Sequence, residues 1–373
     1  SPRNYYTSRN MLLLLAYLVT VSSASFSSWN HDQQLLHSHT DSTKSLNFSV
    51  GFSLQSSYGT AAVIFEDGDG ELETYTRVCD GGVLYRQVMA RLSLESSRHI
   101  APPYDDDGQF WADQPRKALR EALKALGLPA SYEVGVLAHT IKHLRSQLEA
   151  DFGIAVSEAV FTSSHLLALY QDDLKDVAYD AGIRYVTPKH QFKPILWETG
   201  SAYAGHGLGM CEHWQDEDRC REEEDRWPEI TVLAVHYSRN ALTTSLASVT
   251  GATQVWEPDY RHEENFTLGS DGMDAYPSLD SYWADVRETL LLTMTTFPFF
   301  PKPEKILVTG DRAHGYFMKM LRETLNDYLG HVPPILSIDP IEVSAKGAAE
   351  FMRRGRRRGR DKTTEYTFIL RLK

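Results

Sequence analysis

From residue 48 onward the chain alternates apolar and polar positions in short runs. Segments 48–54, 60–65 and 71–78 are rich in β-branched and aromatic residues, and the link Glu66-Asp67-Gly68-Asp69-Gly70 is a hairpin signal. Three antiparallel strands are expected there. The apolar period then lengthens towards that of a helix. Pro102-Pro103 and Asp105-Asp106-Asp107-Gly108 read as a loop, with the aspartates as a solvated turn, and Pro115 marks a helix start. Ala118, Leu119, Ala122, Leu123 and Leu126 give that helix one apolar face before Gly127. Val134, Leu137, Ile141, Leu144 and Leu148 do the same for a helix over 131–150, closed by Gly153. A strand over 156–162, a helix over 166–181, a strand over 183–186 and a small-residue stretch over 200–209 follow.

The same rhythm then begins again. Strands are expected over 230–237, 242–250 and 253–256, a helix over 281–296, a strand over 305–309, and helices over 314–328 and 341–353. The chain therefore reads as a duplicated βββ-αβα unit of the α/β class, two similar lobes with a central cleft, and clefts between domains are the usual ligand sites. The expected boundaries are 48–209 for the first lobe and 230–353 for the second. Between them, 210–229 carries too many charges to bury and reads as an acidic, exposed insertion.

The flanks differ from this body. Arg3 and Arg9 precede an apolar run over 11–21, and Ser22-Ser23-Ala24 suits cleavage after Ala24, so 1–24 reads as a signal peptide and 25–47 as a flexible leader. These eleven residues, interrupted only by Thr20, span about 16 Å as a helix, short of a bilayer core, so no membrane span is expected once the signal is removed. This places the protein in the secretory pathway, in the endoplasmic reticulum lumen or outside the cell; it would be cytoplasmic if the run is not a signal. Sequons at Asn47 and Asn265 agree with glycosylation on that route. Of the three cysteines, Cys211 and Cys220 are placed to pair in an oxidising lumen, leaving Cys79 as a small buried hydrophobe; the other reading is three free core thiols.

Charge narrows the functional classes. Lys and Arg number 38 against 50 acids, a formal charge of −12, which repels phosphate backbones, so the body is not expected to bind nucleic acid. The cations concentrate in a basic tail over 354–373, most simply a solvated helix end.

Four stretches in order resemble the nucleotide-binding domain of the heat-shock protein 70 (DnaK-type) family, within the actin-like ATPase superfamily. They are Val50-Gly51-Phe52-Ser53-Leu54-Gln55-Ser56-Ser57-Tyr58; Ala159-Val160-Phe161-Thr162 through to Trp197-Glu198-Thr199-Gly200; 232–245; and Ile306-Leu307-Val308-Thr309-Gly310-Asp311 with Ala345-Lys346-Gly347-Ala348-Ala349. The resemblance implies two RNase H-like lobes, two phosphate-gripping turns, and ATP with magnesium in the cleft. Glycines in such turns let backbone N–H groups approach phosphate, and aspartates hold the ion.

This chain departs from that chemistry. The first turn's aspartate falls on Ser53 and its glycine on Gln55, with Ser56 and Ser57 keeping hydroxyls. In the second turn the aspartate falls on His236, the glycines on Ser238, Arg239 and Asn240, the threonine on Ala241 and a later aspartate on Thr243. Glu198 alone matches a cleft acid and is the candidate catalytic residue; Gly310 and Asp311 sit at the adenosine motif; the family's catalytic lysine has no counterpart. The base-clamping subdomain of the family is replaced by a Pro-rich link over 297–304. A pseudo-ATPase with no metal and no cofactor, acting by binding a protein partner, is the leading expectation. One alternative is a working ATPase with ATP and magnesium, in which Glu198 positions water and Arg239 supplies charge. The other is a small-molecule or glycan binder with Trp197, Tyr203, His206 and His236 lining the cleft.

Overall fold

Strands form where the alternation predicts them, and their pairing produces the same plan twice. The computed structural model describes residues 47–67, 70–188, 195–296 and 300–358. β1 (Asn47–Leu54), β2 (Tyr58–Glu66) and β3 (Leu72–Asp80) form an antiparallel meander. β4 (Glu158–Ser163) adds to the other edge of β1 in parallel, and β5 (Arg184–Val186) adds to β4, giving the order β3-β2-β1-β4-β5. In the second sheet β6 (Ile230–Tyr237) pairs antiparallel with β7 (Leu242–Gly251), and β7 pairs with β8 (Gln254–Trp256). β9 (His262–Asn265), which the alternation did not reveal, occupies the rest of the β7 edge. β10 (Lys305–Thr309) and β11 (Ile335–Leu336) continue from β6 in parallel, so this order is β8-β7-β6-β10-β11. The molecule is thus α/β with two mixed sheets of matching order.

Nine helices are described: α1 (Gly82–Leu92), α2 (Asp107–Ala125), α3 (Tyr132–Phe152), α4 (Gln171–Asp180), α5 (Glu198–Gly205), α6 (Glu217–Glu224), α7 (Leu279–Thr295), α8 (Tyr316–Leu329) and α9 (Val343–Arg358). Their ends follow capping chemistry. Ser131 accepts from Val134 N at the start of α3, and Gly153, at φ +64°, ends it.

α2 departs from expectation. It starts at Asp107, not Pro115, because the Asp106 carboxylate accepts from Gln109 N at 2.8 Å and Asp107 sits in the positive first turn; the aspartates cap a helix instead of forming a loop. Pro115 lies on its exposed side, where the carbonyl that loses its partner faces water. The apolar row also faces outward: Leu119 and Leu126 are 61% and 66% exposed. Arg120 turns inward and bonds Asp173 and Asp176 of α4 at 2.8 Å each. α4 in turn starts at Gln171 rather than 166, and the stretch after residue 197 is the helix α5.

Two apolar clusters hold the layers. The larger runs from Val50, Phe52 and Val160 through Ala202 and Ala348 to Val232, Ala247 and Leu307, so one core joins both sheets. The other lies where α7 and α8 cover the second sheet, around Tyr282, Leu290, Phe317 and Leu321. α5 and α9 cross at the junction, and glycine sets their distance. A Cβ on Gly347 would lie 1.7 Å from the Ser201 carbonyl oxygen.

The acidic insertion is pinned from within. Cys211 and Cys220 form a disulfide and pack with Trp214 and Trp227, while the α6 charges stay outside. Cys79 is half-buried in β3 instead of in the core, since its edge strand is largely exposed. α9 runs through Arg358, five residues past the expected end, because Arg353 and Arg354 both bond Glu350 and Arg354 donates to the Cys211 carbonyl at 2.6 Å. The expected signal peptide and leader over 1–46, part of the link over 297–304, and the tail beyond 358 lie outside the described residues. Among the described residues no helix is long and apolar enough to cross a membrane.

Candidate functional site

The two turns expected to grip phosphate meet face to face. The first joins β1 to β2 through Gln55, Ser56 and Ser57; the second joins β6 to β7 through Ser238, Arg239, Asn240 and Ala241. The Ser56 hydroxyl bonds His236 Nε2 at 2.8 Å and the Ser238 hydroxyl at 2.6 Å, and Asn240 Nδ2 donates to the Ser56 carbonyl at 3.0 Å. Ser53, Ser56 and Ser238 have no exposed surface.

Four backbone donors of the turns are spent locally. Gln55 N donates to the Tyr58 carbonyl and Ser238 N to the Ala241 carbonyl, both at 2.9 Å. Arg239 N donates to Asp311 Oδ1 at 3.2 Å, and Ala241 N to Ser238 Oγ at 3.2 Å. Gly310, at φ +107°, lets the chain pass the Tyr237 carbonyl, which a Cβ there would meet at 2.1 Å. Gly310 and Asp311 therefore support the second turn, Asp311 by capping the Arg239 amide.

Glu198 sits at the start of α5, one side of this closure. His236 Nδ1 lies 3.1 Å from Glu198 Oε1, and Ser164 Oγ donates to Glu198 Oε2 at 3.2 Å. The Gln55 amide, oriented by its neighbours, accepts from Ser53 Oγ at 2.5 Å and donates to both Glu198 oxygens at 2.9 Å. Burial pushes the Glu198 carboxyl up, but the His236 charge and bonds from His236, Thr309 and Ser164 hold it below the usual carboxylate range. Glu198 is thus an ionised structural hub with its oxygens occupied.

Ser56, His236 and Glu198 are linked in the order of a nucleophile, a base and an orienting acid. The order alone performs no acyl transfer. Ser56 is wholly buried and also bonded to Ser238, so no electrophile reaches its oxygen. Arg239 does not point into the closure either: its guanidinium reaches Asp80 at 3.1 Å and Asp271 at 3.3 Å, a strap across the outside.

Magnesium and a triphosphate do not fit this donor set. The ion needs hard oxygen ligands, yet the strand positions facing the closure hold Ser53, His236 and Thr243, the Glu198 oxygens are bonded to neighbouring side chains, and the amides of Gln55, Ser238, Arg239 and Ala241 are taken. Among the described residues, the one trio of His, Cys, Asp or Glu ligand atoms that converges on a point is Cys211, Cys220 and Glu224, and those sulfurs are joined to each other.

The other expected positions scatter. Trp197 and His206 flank α5 at opposite ends, and Tyr203 is buried within it; only His236 of that set lines a cavity beside the closure, one of about 20 Å³. Asn47, at the head of β1, donates to Glu66, and Asn265, at the end of β9, accepts from Thr267 N and Oγ1 at 2.9 and 2.7 Å. Sequence reasoning missed His165, Glu257 and His262, which line that cavity, as well as Ser164, which bonds Glu198, and Glu264, which lies 3.1 Å from His262. The His262-Glu263-Glu264 spacing, with positions 262 and 264 on one strand face, was the available signal. Away from the closure, an open groove of about 780 Å³ lies between α1 and α3, lined by Val83, Leu84, Leu128, Tyr132 and Val136.

No protein-family model matches this sequence, and no curated protein matches it.

Proposed function

We propose that this chain is a degenerate member of the actin-like ATPase superfamily, related in pattern to the DnaK-type domain, that has lost its nucleotide and works by binding another protein. The twice-repeated order, an antiparallel meander extended in parallel from its first strand, supports two RNase H-like lobes. The observation that carries the functional part is the Ser56 hydroxyl bonded to both His236 and Ser238. Side chains occupy the ground on which phosphate would rest. Each lost charge-assisted contact costs on the order of 1.5–3 kcal/mol of nucleotide affinity, and several are lost together.

The rival, an active ATPase using Arg239 as a substitute cation, is disfavoured by the two carboxylates that already hold that guanidinium. The cavity of about 20 Å³ takes a single water, not a sugar or metabolite. The Cys211–Cys220 disulfide supports a secretory location. Steady-state phosphate release from ATP and magnesium tests the reading. The purified chain and its Arg239→Ala variant are expected to match the no-enzyme rate, whereas turnover that the variant abolishes would reinstate the ATPase.

A further inference from the structure

The outer margin of the first sheet is a long strand that no described strand covers. β3 has nine residues and, among the described residues, pairs with β2 alone. The other margins are shorter: β5 and β8 have three residues each and β11 two. Exposed edges are usually guarded by Pro, lysine or a bulge, because their unpaired N–H and C=O groups are a template for another strand. β3 has none of these guards, and its register with β2 is unbroken from Leu72 to Asp80. It also keeps apolar surface, with Leu72, Tyr75 and Val78 at 47%, 40% and 44% exposure.

The backbone fixes what this edge offers. Asp67 N donates to the Glu71 carbonyl at 3.2 Å and Gly81 N to the Ser57 carbonyl at 3.1 Å, so the odd-numbered residues of β3 turn their peptide groups towards β2. Leu72, Thr74, Thr76 and Val78 therefore turn theirs outward. Side chains divide between the two faces in the same alternation. Tyr75 and Arg77 lie on the α3 side, where the Tyr75 ring is 5.0 Å from the Phe152 ring and Arg77 Nε bonds Asp151 at 2.6 Å, while Leu72, Thr74, Thr76 and Val78 lie on the other. Arg77 Nη1 donates to the Thr76 carbonyl at 2.6 Å, which brings the guanidinium to the outer edge.

We infer that this edge pairs antiparallel with the same edge of a second copy of the chain, about a twofold axis at Tyr75, joining two five-stranded sheets into one. The strand is complementary to itself about that residue. Leu72 then faces Val78 and Thr74 faces Thr76, pairs whose outward peptide groups exchange both hydrogen bonds. Glu73 faces Arg77 on each side of the axis, in the closer, non-hydrogen-bonded type of pair, and Tyr75 faces its own copy. Neighbouring registers match less well. Centred on Thr76, Leu72 faces Asp80 and Glu73 faces Cys79; centred on Thr74, the strands overlap over 72–76 alone and Leu72 faces Thr76.

Charge also selects the place. The formal charge of −12 makes copies repel in general, so they meet best where Glu73 and Arg77 cancel across a twofold axis. The Thr76 carbonyl has two lone pairs and can serve both Arg77 and the second copy. The pairing rests on β3 alone, not on the fate of nucleotide.

Sedimentation velocity of the full chain at rising micromolar concentration tests this, with a dimer as the expected species. Thr74→Pro removes an outward N–H without touching the bonds to β2 and should leave a monomer. Glu73→Lys, a change confined to the surface, sets like charges opposite each other twice and should raise the dimer dissociation constant about tenfold or more. Under mild oxidation Tyr75→Cys should cross-link two copies, because that position faces itself, whereas Thr74→Cys and Thr76→Cys should cross-link no more than the unmodified chain with its Cys79. A monomer at every concentration, including one whose β3 amides are shielded from exchange by another segment of the same chain, would overturn the pairing. So would a dimer indifferent to Thr74→Pro and Glu73→Lys, or cross-linking at 74 or 76 in preference to 75.

Discussion

Gly347→Ala is expected to destabilise the protein by about 3–5 kcal/mol, enough to remove most of a typical folding margin. One methyl group has this effect because of what it meets. The added Cβ would lie 1.7 Å from the Ser201 carbonyl oxygen, 2.7 Å from the Ser201 carbonyl carbon and 2.8 Å from Gly205 N, all backbone atoms of α5. A helix backbone cannot rotate aside as a side chain can, so α5 and α9 must separate. That separation reaches the core joining both sheets, since Ala202 and Ala348 belong to it. Denaturant unfolding measures the loss; a midpoint unchanged from wild type would show that the crossing is looser than described.

Glu198→Ala ranks next, at about 3–5 kcal/mol, because breaking one side of a buried charge pair leaves the other partners unpaired. His236, Ser164 and the Gln55 amide all converge on this carboxylate. Glu198→Gln keeps the shape and one acceptor and should lose less than half as much. Thermal unfolding at neutral pH separates the two variants. Equal, small losses for both would mean that Glu198 is not the hub of the closure, and would return it to the role of a catalytic acid.

Much of the scaffold was legible because strand period and helix caps are local signals. β1, β2, β6 and β7 emerge from alternation alone, and α3 from Ser131, its apolar spacing and Gly153. β9 was hidden because its inward residues are His262 and Glu264, which carry no apolar period. α2 misled for a related reason: its apparent apolar face, with Leu119 and Leu126, is outside, and the anchoring residue is Arg120, whose partners lie more than fifty positions away. At the candidate site, the absence from both turns of the glycines and aspartates that the resemblance would place there was visible in single residues. What those replacements do together was not visible, since Ser56 and His236 are 180 residues apart. The sequence told what was missing from the turns, and the folded chain adds that serine, histidine and asparagine fill the gap by bonding across it.

Calorimetric titration of the purified chain with ATP and magnesium tests the sealed cleft most directly. With the turns bonded to each other and the Glu198 oxygens taken by His236, Ser164 and Gln55, no saturable heat is expected up to millimolar nucleotide. A one-to-one isotherm with a micromolar Kd would contradict the seal, because the bonds of Ser56 to His236 and Ser238, and of Asp311 to the Arg239 amide, would have to open to admit the nucleotide.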